Sequence, residues 1–108
     1  MAKKQGSHQS SVLLDLNNPE FLNVFLRLES AELHQVAAAL HRIQRLSWSE
    51  IYKAPGLKWE AMKHVSAPHR QTVYSVRLSA KIRALAYRDG LFLRFLSLHP
   101  DHDSAYRK

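Results

Sequence analysis

Three strand-like runs follow one another in the C-terminal third of this chain, and they limit its fold more than any other feature. The run TVYSVRL at 72–78 alternates between two faces, with Ser75 and Arg77 on the same side. The run KIRALAYR at 81–88 alternates in the same way and places Arg83 opposite its small apolar residues. We expect the polar face of these runs to be the open face of a sheet, where it presents a row of cations.

The dipeptide Asp89-Gly90 separates the second run from a third and is the strongest short signal for a β-hairpin. The third run, LFLRFLSL at 91–98, is nearly continuous in apolar residues, which predicts a central strand buried on most of both faces. Its end carries the polar segment HPDHDSAY at 99–106. The runs therefore predict an antiparallel sheet that holds a polar site at the end of its last strand.

Helix signals precede this sheet. The short apolar run VLLDL at 12–16 predicts an edge strand. Asn18 is a good N-cap for a helix with Pro19 at its first position, and Ser30 is a good N-cap for a second, amphipathic helix. The two helices predict a hairpin that covers one face of the sheet.

A short helix and one further strand complete the predicted order. Ser47 or Ser49 begins the helix, and Pro55-Gly56 ends it. The run LKWEAMKHV at 57–65 then alternates as a strand. The predicted fold class is α+β, with an N-terminal helical hairpin packed on one face of a small, mostly antiparallel sheet in a two-layer sandwich.

The charge balance indicates the kind of partner. Sixteen Lys and Arg against nine Asp and Glu give a net charge of +7 in 108 residues, which is typical of a nucleic-acid binder, although an acidic protein or an anionic membrane surface would also be attracted. The chain has no cysteine, which excludes disulfides and thiolate chemistry. No run approaches the length of a membrane span. We expect a flexible basic tail at 1–11, a single domain at 12–108, and a cytoplasmic location.

The motifs resemble those of a known family. The C-terminal part of the chain is similar to the C-terminal half of the RelE/ParE superfamily of toxins from bacterial type II toxin–antitoxin pairs. The similarity lies in YxVRL at 74–78, IRALAY at 82–87, the turn formed by an acidic residue and glycine, and an apolar strand ending in HPDHDSAY at 99–106. The resemblance implies a RelE-like fold, a cognate antitoxin protein as partner, and no cofactor. RelE-branch toxins cut messenger RNA on the ribosome without a metal, whereas ParE-branch toxins inhibit DNA gyrase.

The resemblance also implies roles for individual residues. Arg77 matches a catalytic or phosphate-binding cation of the RelE branch, Arg83 matches the arginine on its next strand, and Tyr106 matches an aromatic residue near the end. Two departures stand beside these matches. Ser75 falls where that branch often has lysine, and the segment 99–103 replaces a basic run with histidines and aspartates.

Elementary chemistry suits some of the same residues to RNA cleavage through the 2′-hydroxyl. That reaction needs a proton acceptor, a proton donor and cations against the charge that develops on the phosphate oxygens. Arg77 and Arg83 suit the last role, because a guanidinium stays charged and binds phosphate through two hydrogen bonds. His99 or His102 could act as acid or base near neutral pH, and Tyr106 could orient the phosphate, stack on a base or donate a proton.

Several alternatives remain open at this point. Lys58 and Lys81 are candidate contacts to a nucleic-acid backbone or simply solvated strand-end lysines. The segment 99–103 could form a capped turn, and its spacing does not favour a metal site. The chain could also be a toxin that inhibits gyrase without cutting RNA, or a non-catalytic nucleic-acid-binding module of the same fold.

Overall fold

The structure is a computed structural model that describes residues 11–100, apart from the side chains of Ser66 and His69. It is an α+β fold with three α-helices and a five-stranded, mostly antiparallel sheet, which confirms the predicted class at that level. The helices are α1 (Pro19–Phe25), α2 (Ser30–Ile43) and α3 (Trp48–Lys53). The strands are β1 (Leu13–Asp15), β2 (Glu60–Ser66), β3 (Thr72–Arg77), β4 (Arg83–Asp89) and β5 (Phe92–His99).

The helix ends follow from local hydrogen bonding. The side chain of Asn18 caps α1, as predicted, and Ser47 caps α3 in a capping box with Glu50. The prediction for α2 was wrong by one residue, because Ser30 lies inside the helix and Glu29 is its N-cap. The longest helix has 14 residues, and within 11–100 no helix is both long and apolar enough to cross a membrane.

The strands lie in the order β1-β5-β4-β3-β2, with β1 parallel to β5 and every other neighbour antiparallel. The strand buried on both faces is β4, where every residue from Arg83 to Tyr87 is buried. The run 91–98 was predicted to be a central strand buried on most of both faces. As predicted, β5 is an inner strand of the sheet, but four of its eight residues are only half-buried, so the predicted burial was wrong. The reason is its place in the sheet, since the neighbour of β5 on one side is only the three-residue strand β1.

Two strands begin two or more residues later than predicted. The run 57–65 becomes a strand only at Glu60, because the preceding residues form a 3-10 turn at Pro55–Leu57 and Lys58 has a left-handed backbone with φ of 47°. The run 81–88 becomes a strand only at Arg83, because the side chain of Ser79 accepts a hydrogen bond from the backbone of Ile82 and closes the turn before it.

The β4–β5 connection is the predicted hairpin. Asp89 pairs with Phe92, which leaves a two-residue turn at Gly90 and Leu91. Gly90 has φ of 64°, a conformation that glycine adopts without the steric cost of a side chain. The hairpin sets the pairing of β4 with β5 from Asp89 to Ala86, and a bulge between Leu85 and Ala86 then shifts it by one residue. The shifted register pairs Arg83 with His99 at the far ends of the strands.

One face of the sheet joins the helices in the main hydrophobic core. Members of this core from the helices are Phe21, Val36, Ala39, Leu40, Ile43, Trp48 and Ile51. Members from the sheet include Val76, Ala84, Ala86, Leu93, Phe95 and Leu98. A second, smaller cluster of Met62, Val73 and Leu85 lies on the opposite face, and no described helix residue belongs to it. Ser75, Arg77 and Arg83 lie on this second face.

Candidate functional site

Three basic side chains lie side by side across β3, β4 and β5. Arg77 is the cross-strand partner of Arg83, and Arg83 is in turn the partner of His99. Partners of this kind point to the same face of a sheet, with Cβ atoms about 5 Å apart. The sheet register therefore assembles Arg77, Arg83 and His99, which we call the basic row, at the end of the sheet remote from the Gly90 turn.

Arg83 is the most unusual member, because only 6% of the residue is exposed. Its Nε donates a hydrogen bond of 2.7 Å to Oγ of Ser75, and one Nη donates a bond of 3.2 Å to the carbonyl oxygen of Lys58. The prediction of an open cationic face was wrong here. Ser75 is fully buried and small, so it leaves room for the guanidinium to lie against the sheet instead of extending into solvent.

The guanidinium of Arg83 has no acidic partner among the described residues. The ion pairs of residues 11–100 join Lys81 to Glu32 and Arg94 to Asp15 and Asp89. A buried charge without a counter-ion is costly, and like charges directly opposite each other in a sheet are destabilising. An anion that binds at the basic row would relieve both costs.

Arg77 leaves much of its guanidinium available for such an anion. The residue is half-buried, and its Nε donates a hydrogen bond of 3.1 Å to the carbonyl oxygen of Ser79. Neither its Nη atoms nor the second Nη of Arg83 bonds to a residue within 11–100. Guanidinium groups bind phosphate through paired N–H donors, so these atoms form a suitable phosphate site.

His99 completes the row with a group that can transfer protons. Its Nε2 lies 2.9 Å from Oγ of Ser97, which is itself buried. Donor and acceptor roles in this hydrogen bond depend on the imidazole tautomer. The contact orients the ring beside Arg83, so a group that can accept or donate a proton lies next to the two guanidinium groups.

The other predicted site residues do not join the row. The side chain of Lys58 is exposed, and its contribution to the site is the backbone carbonyl that accepts from Arg83. Lys81 forms an ion pair of 3.0 Å with Glu32 at the start of α2. His102 and Tyr106 lie outside the described residues, and their roles stay predictions.

A separate charged cluster ties together three strands. Arg94 on β5 bonds to Asp15 on β1 at 2.7 Å and to Asp89 at the end of β4 at 2.9 Å. The backbone N–H of Asn17 and the Arg94 guanidinium lower the pKa of the Asp15 carboxyl, against the opposing effect of its partial burial. Arg94 lies between two carboxylates, in contrast to Arg83, and we interpret this cluster as structural.

The sequence analysis did not identify the role of Ser75 or that of the Lys58 carbonyl. A signal for the first exists in the strand pattern, since a small polar residue two positions before Arg77 on the same face leaves room beside it. The second depends on a contact across 25 residues and has no local signal. Comparison with protein-family models, with curated proteins and with solved structures finds no match to this chain.

Proposed function

We propose that this chain is the toxin of a type II toxin–antitoxin pair of the RelE/ParE superfamily, and that it is a metal-independent endoribonuclease acting on translated messenger RNA. The observation that carries the proposal is the buried Arg83, which has no acidic partner among residues 11–100 and lies between Arg77 and His99. The motif resemblance supports the same assignment. The RelE-like arrangement, with α1 and α2 as a hairpin over one face, belongs to this proposal.

The two arginines suit the electrostatic part of the reaction. Attack of the ribose 2′-oxygen on phosphorus forms one P–O bond, and departure of the 5′-oxygen breaks another, leaving a 2′,3′-cyclic phosphate and a 5′-hydroxyl. Negative charge on the phosphate oxygens grows in the transition state, and fixed cations stabilise it. The guanidinium groups of Arg77 and Arg83 are the cations of the described residues that suit this role.

The proton transfers need two more groups. A base takes the proton of the 2′-hydroxyl, and an acid gives a proton to the leaving 5′-oxygen. His99 lies beside Arg83 in the sheet register and can serve as one of them. His102 and Tyr106, which follow it within seven residues, are the candidates for the other.

A second candidate function is inhibition by binding alone, with DNA gyrase as the target. The observation that favours it is the absence of an amine from the described part of the row. Ser75 stands where the RelE branch often has lysine, and Lys81 is paired with Glu32. A row that binds phosphate but lacks a second proton-transfer group would hold nucleic acid without cutting it.

Primer extension on an abundant transcript after brief induced expression in bacteria separates the two candidates. We expect growth arrest with the wild-type chain and new 5′ ends within the coding region. The variant Arg83→Met removes the charge but keeps a long side chain, so it should abolish these ends. Arg45→Gln is the matched control, since Arg45 is exposed near the end of α2 and outside the row.

Two results would contradict the nuclease. Intact transcripts during growth arrest, with signs of DNA damage, would point to gyrase instead. New 5′ ends that persist in Arg83→Met would show that the basic row is not the site. If a small protein with an acidic C-terminal segment is encoded beside this gene, its co-expression should restore growth.

A further inference from the structure

An apolar pocket of about 320 Å³ includes Arg77, one residue of the basic row, in its lining. It lies between the C-terminal half of α2, the 3-10 turn at Pro55–Leu57, and the end of β3. Its apolar wall includes Ile43, Leu46, Leu57 and Leu78. Pockets of this size and apolar character bind small organic groups.

Two arginines and no acidic residue line this pocket. Arg42 comes from the last turn of α2, and Arg77 comes from the basic row. Arg77 therefore belongs to both the pocket and the row. A ligand that fits both would combine an apolar face with an anionic group a short distance away.

We propose that the pocket binds the base and sugar of a ribonucleotide whose phosphate lies at Arg77 and Arg83. This inference rests on the nuclease assignment and names the part of the RNA that the site would hold. The flat face of a nucleobase is apolar and packs on aliphatic walls, while its polar edge can meet the guanidinium of Arg42. Ser79 also lines the pocket, and its hydroxyl, which accepts a hydrogen bond from the backbone of Ile82, still has a proton to donate.

A nucleotide fits better than an acidic peptide segment for one reason. The shared residue Arg77 is the partner of Arg83 in the row, where two guanidiniums face each other without a carboxylate among the described residues. Paired guanidiniums match the several oxygens of a phosphate, whereas an isolated carboxylate would leave N–H donors unused. The pocket then receives whatever is attached to that phosphate.

Gly56 provides a specific way to fill the pocket. It lines the pocket, and a Cβ added to it meets nothing within 4 Å. Its backbone is not in the left-handed region, so Gly56→Leu should fold and add an aliphatic side chain to the pocket lining. Gly56→Ala is the matched control, because a methyl group leaves most of the volume open.

The test is a titration of the purified full chain with AMP, with ribose 5-phosphate and with adenosine, followed by NMR. AMP should bind at least about tenfold more tightly than ribose 5-phosphate, because only AMP fills the pocket. Gly56→Leu should reduce AMP binding to the level of ribose 5-phosphate and leave the latter unchanged. Arg42→Gln should weaken AMP binding, whereas Arg45→Gln, on the same helix end but outside the pocket, should not.

Equal binding of AMP and ribose 5-phosphate would overturn the inference, as would AMP binding that is the same in Gly56→Leu. The acidic peptide acetyl-Glu-Leu-Glu-amide is titrated in the same way as a competing kind of ligand. If this peptide binds more tightly than AMP and Gly56→Leu abolishes its binding, the pocket is a protein-docking site and the inference is wrong.

The titration and the primer extension fail independently. If new 5′ ends appear but AMP and ribose 5-phosphate bind equally, the nuclease assignment is supported and the pocket is not part of the substrate site. If Gly56→Leu abolishes AMP binding while transcripts stay intact, the pocket is a nucleotide site and the nuclease assignment is wrong.

Discussion

The hydrogen bond between Arg83 and Ser75 should determine how each residue affects stability. In the wild type, Ser75→Ala removes the acceptor of the 2.7 Å bond and leaves the Nε of a buried guanidinium without a partner. Losing a hydrogen bond to a charged group costs about 1.5–3 kcal/mol. We therefore expect Ser75→Ala to lower the free energy of unfolding by about 2 kcal/mol.

The same substitution should have the opposite consequence when Arg83 is already methionine. The hydroxyl of Ser75 is then a buried polar group that faces an apolar side chain, and removing it should be neutral or stabilising. The two substitutions are thus coupled by about 1.5–3 kcal/mol. Arg83→Met alone should cost less than Ser75→Ala, because it also removes a buried charge that has no acidic partner within 11–100.

Urea unfolding of the four proteins, followed by tryptophan fluorescence and circular dichroism, measures this coupling. Ser47→Ala is the control, because it removes another buried serine hydroxyl, whose hydrogen-bond partners lie in α3 and not in the basic row. It should have the same effect whether residue 83 is arginine or methionine. Equal costs of Ser75→Ala in the two backgrounds would refute the account of how Arg83 is held.

Three further predictions concern the supports of the fold. Gly90→Ala should cost about 1 kcal/mol, because the glycine has φ of 64°, whereas Gly56→Ala should change the unfolding free energy little. Ser47→Ala should also cost about 1 kcal/mol, since it breaks the capping box of α3; both effects are read from urea unfolding. The folded state lowers the pKa of Asp15. The carboxylate therefore contributes fully to the free energy of unfolding above its unfolded-state pKa of about 3.9, and this contribution is lost as the pH falls through the folded-state pKa. Asp15→Asn should therefore destabilise the protein at pH 7 and converge with wild type in acid, and a constant difference in unfolding midpoints across this range would be inconsistent with the Asp15–Arg94 contact.

The local features of the fold could be read from the sequence because their causes are local. Asn18 caps a helix through its own neighbours, and the turn between Asp89 and Phe92 has Gly90 at its first central position. Alternation correctly placed Ala84 and Ala86 on the core side of the sheet. These features need only side-chain size, polarity and backbone preference over a few positions.

The environment of Arg83 could not be read in the same way. Alternation placed it on the polar face, but whether that position is open depends on Ser75 in the neighbouring strand and on Lys58, which is 25 residues away. The burial of β4 rather than β5 also depends on the order of strands in the sheet. Sequence alternation assigns residues to faces, while the packing of distant segments determines how deeply each face is buried.

The chemistry of the cut ends tests the central claim most directly. Metal-independent attack by the 2′-oxygen predicts a 5′-hydroxyl on every downstream fragment and a cyclic phosphate on every upstream fragment, in cells that express the wild-type chain and not in cells that express Arg83→Met. Fragments that become ligatable only after phosphorylation of their 5′ ends would show the predicted chemistry. Fragments that already carry 5′-phosphates, or 5′-hydroxyl ends that persist in Arg83→Met, would contradict the assignment of the basic row as a ribonuclease site.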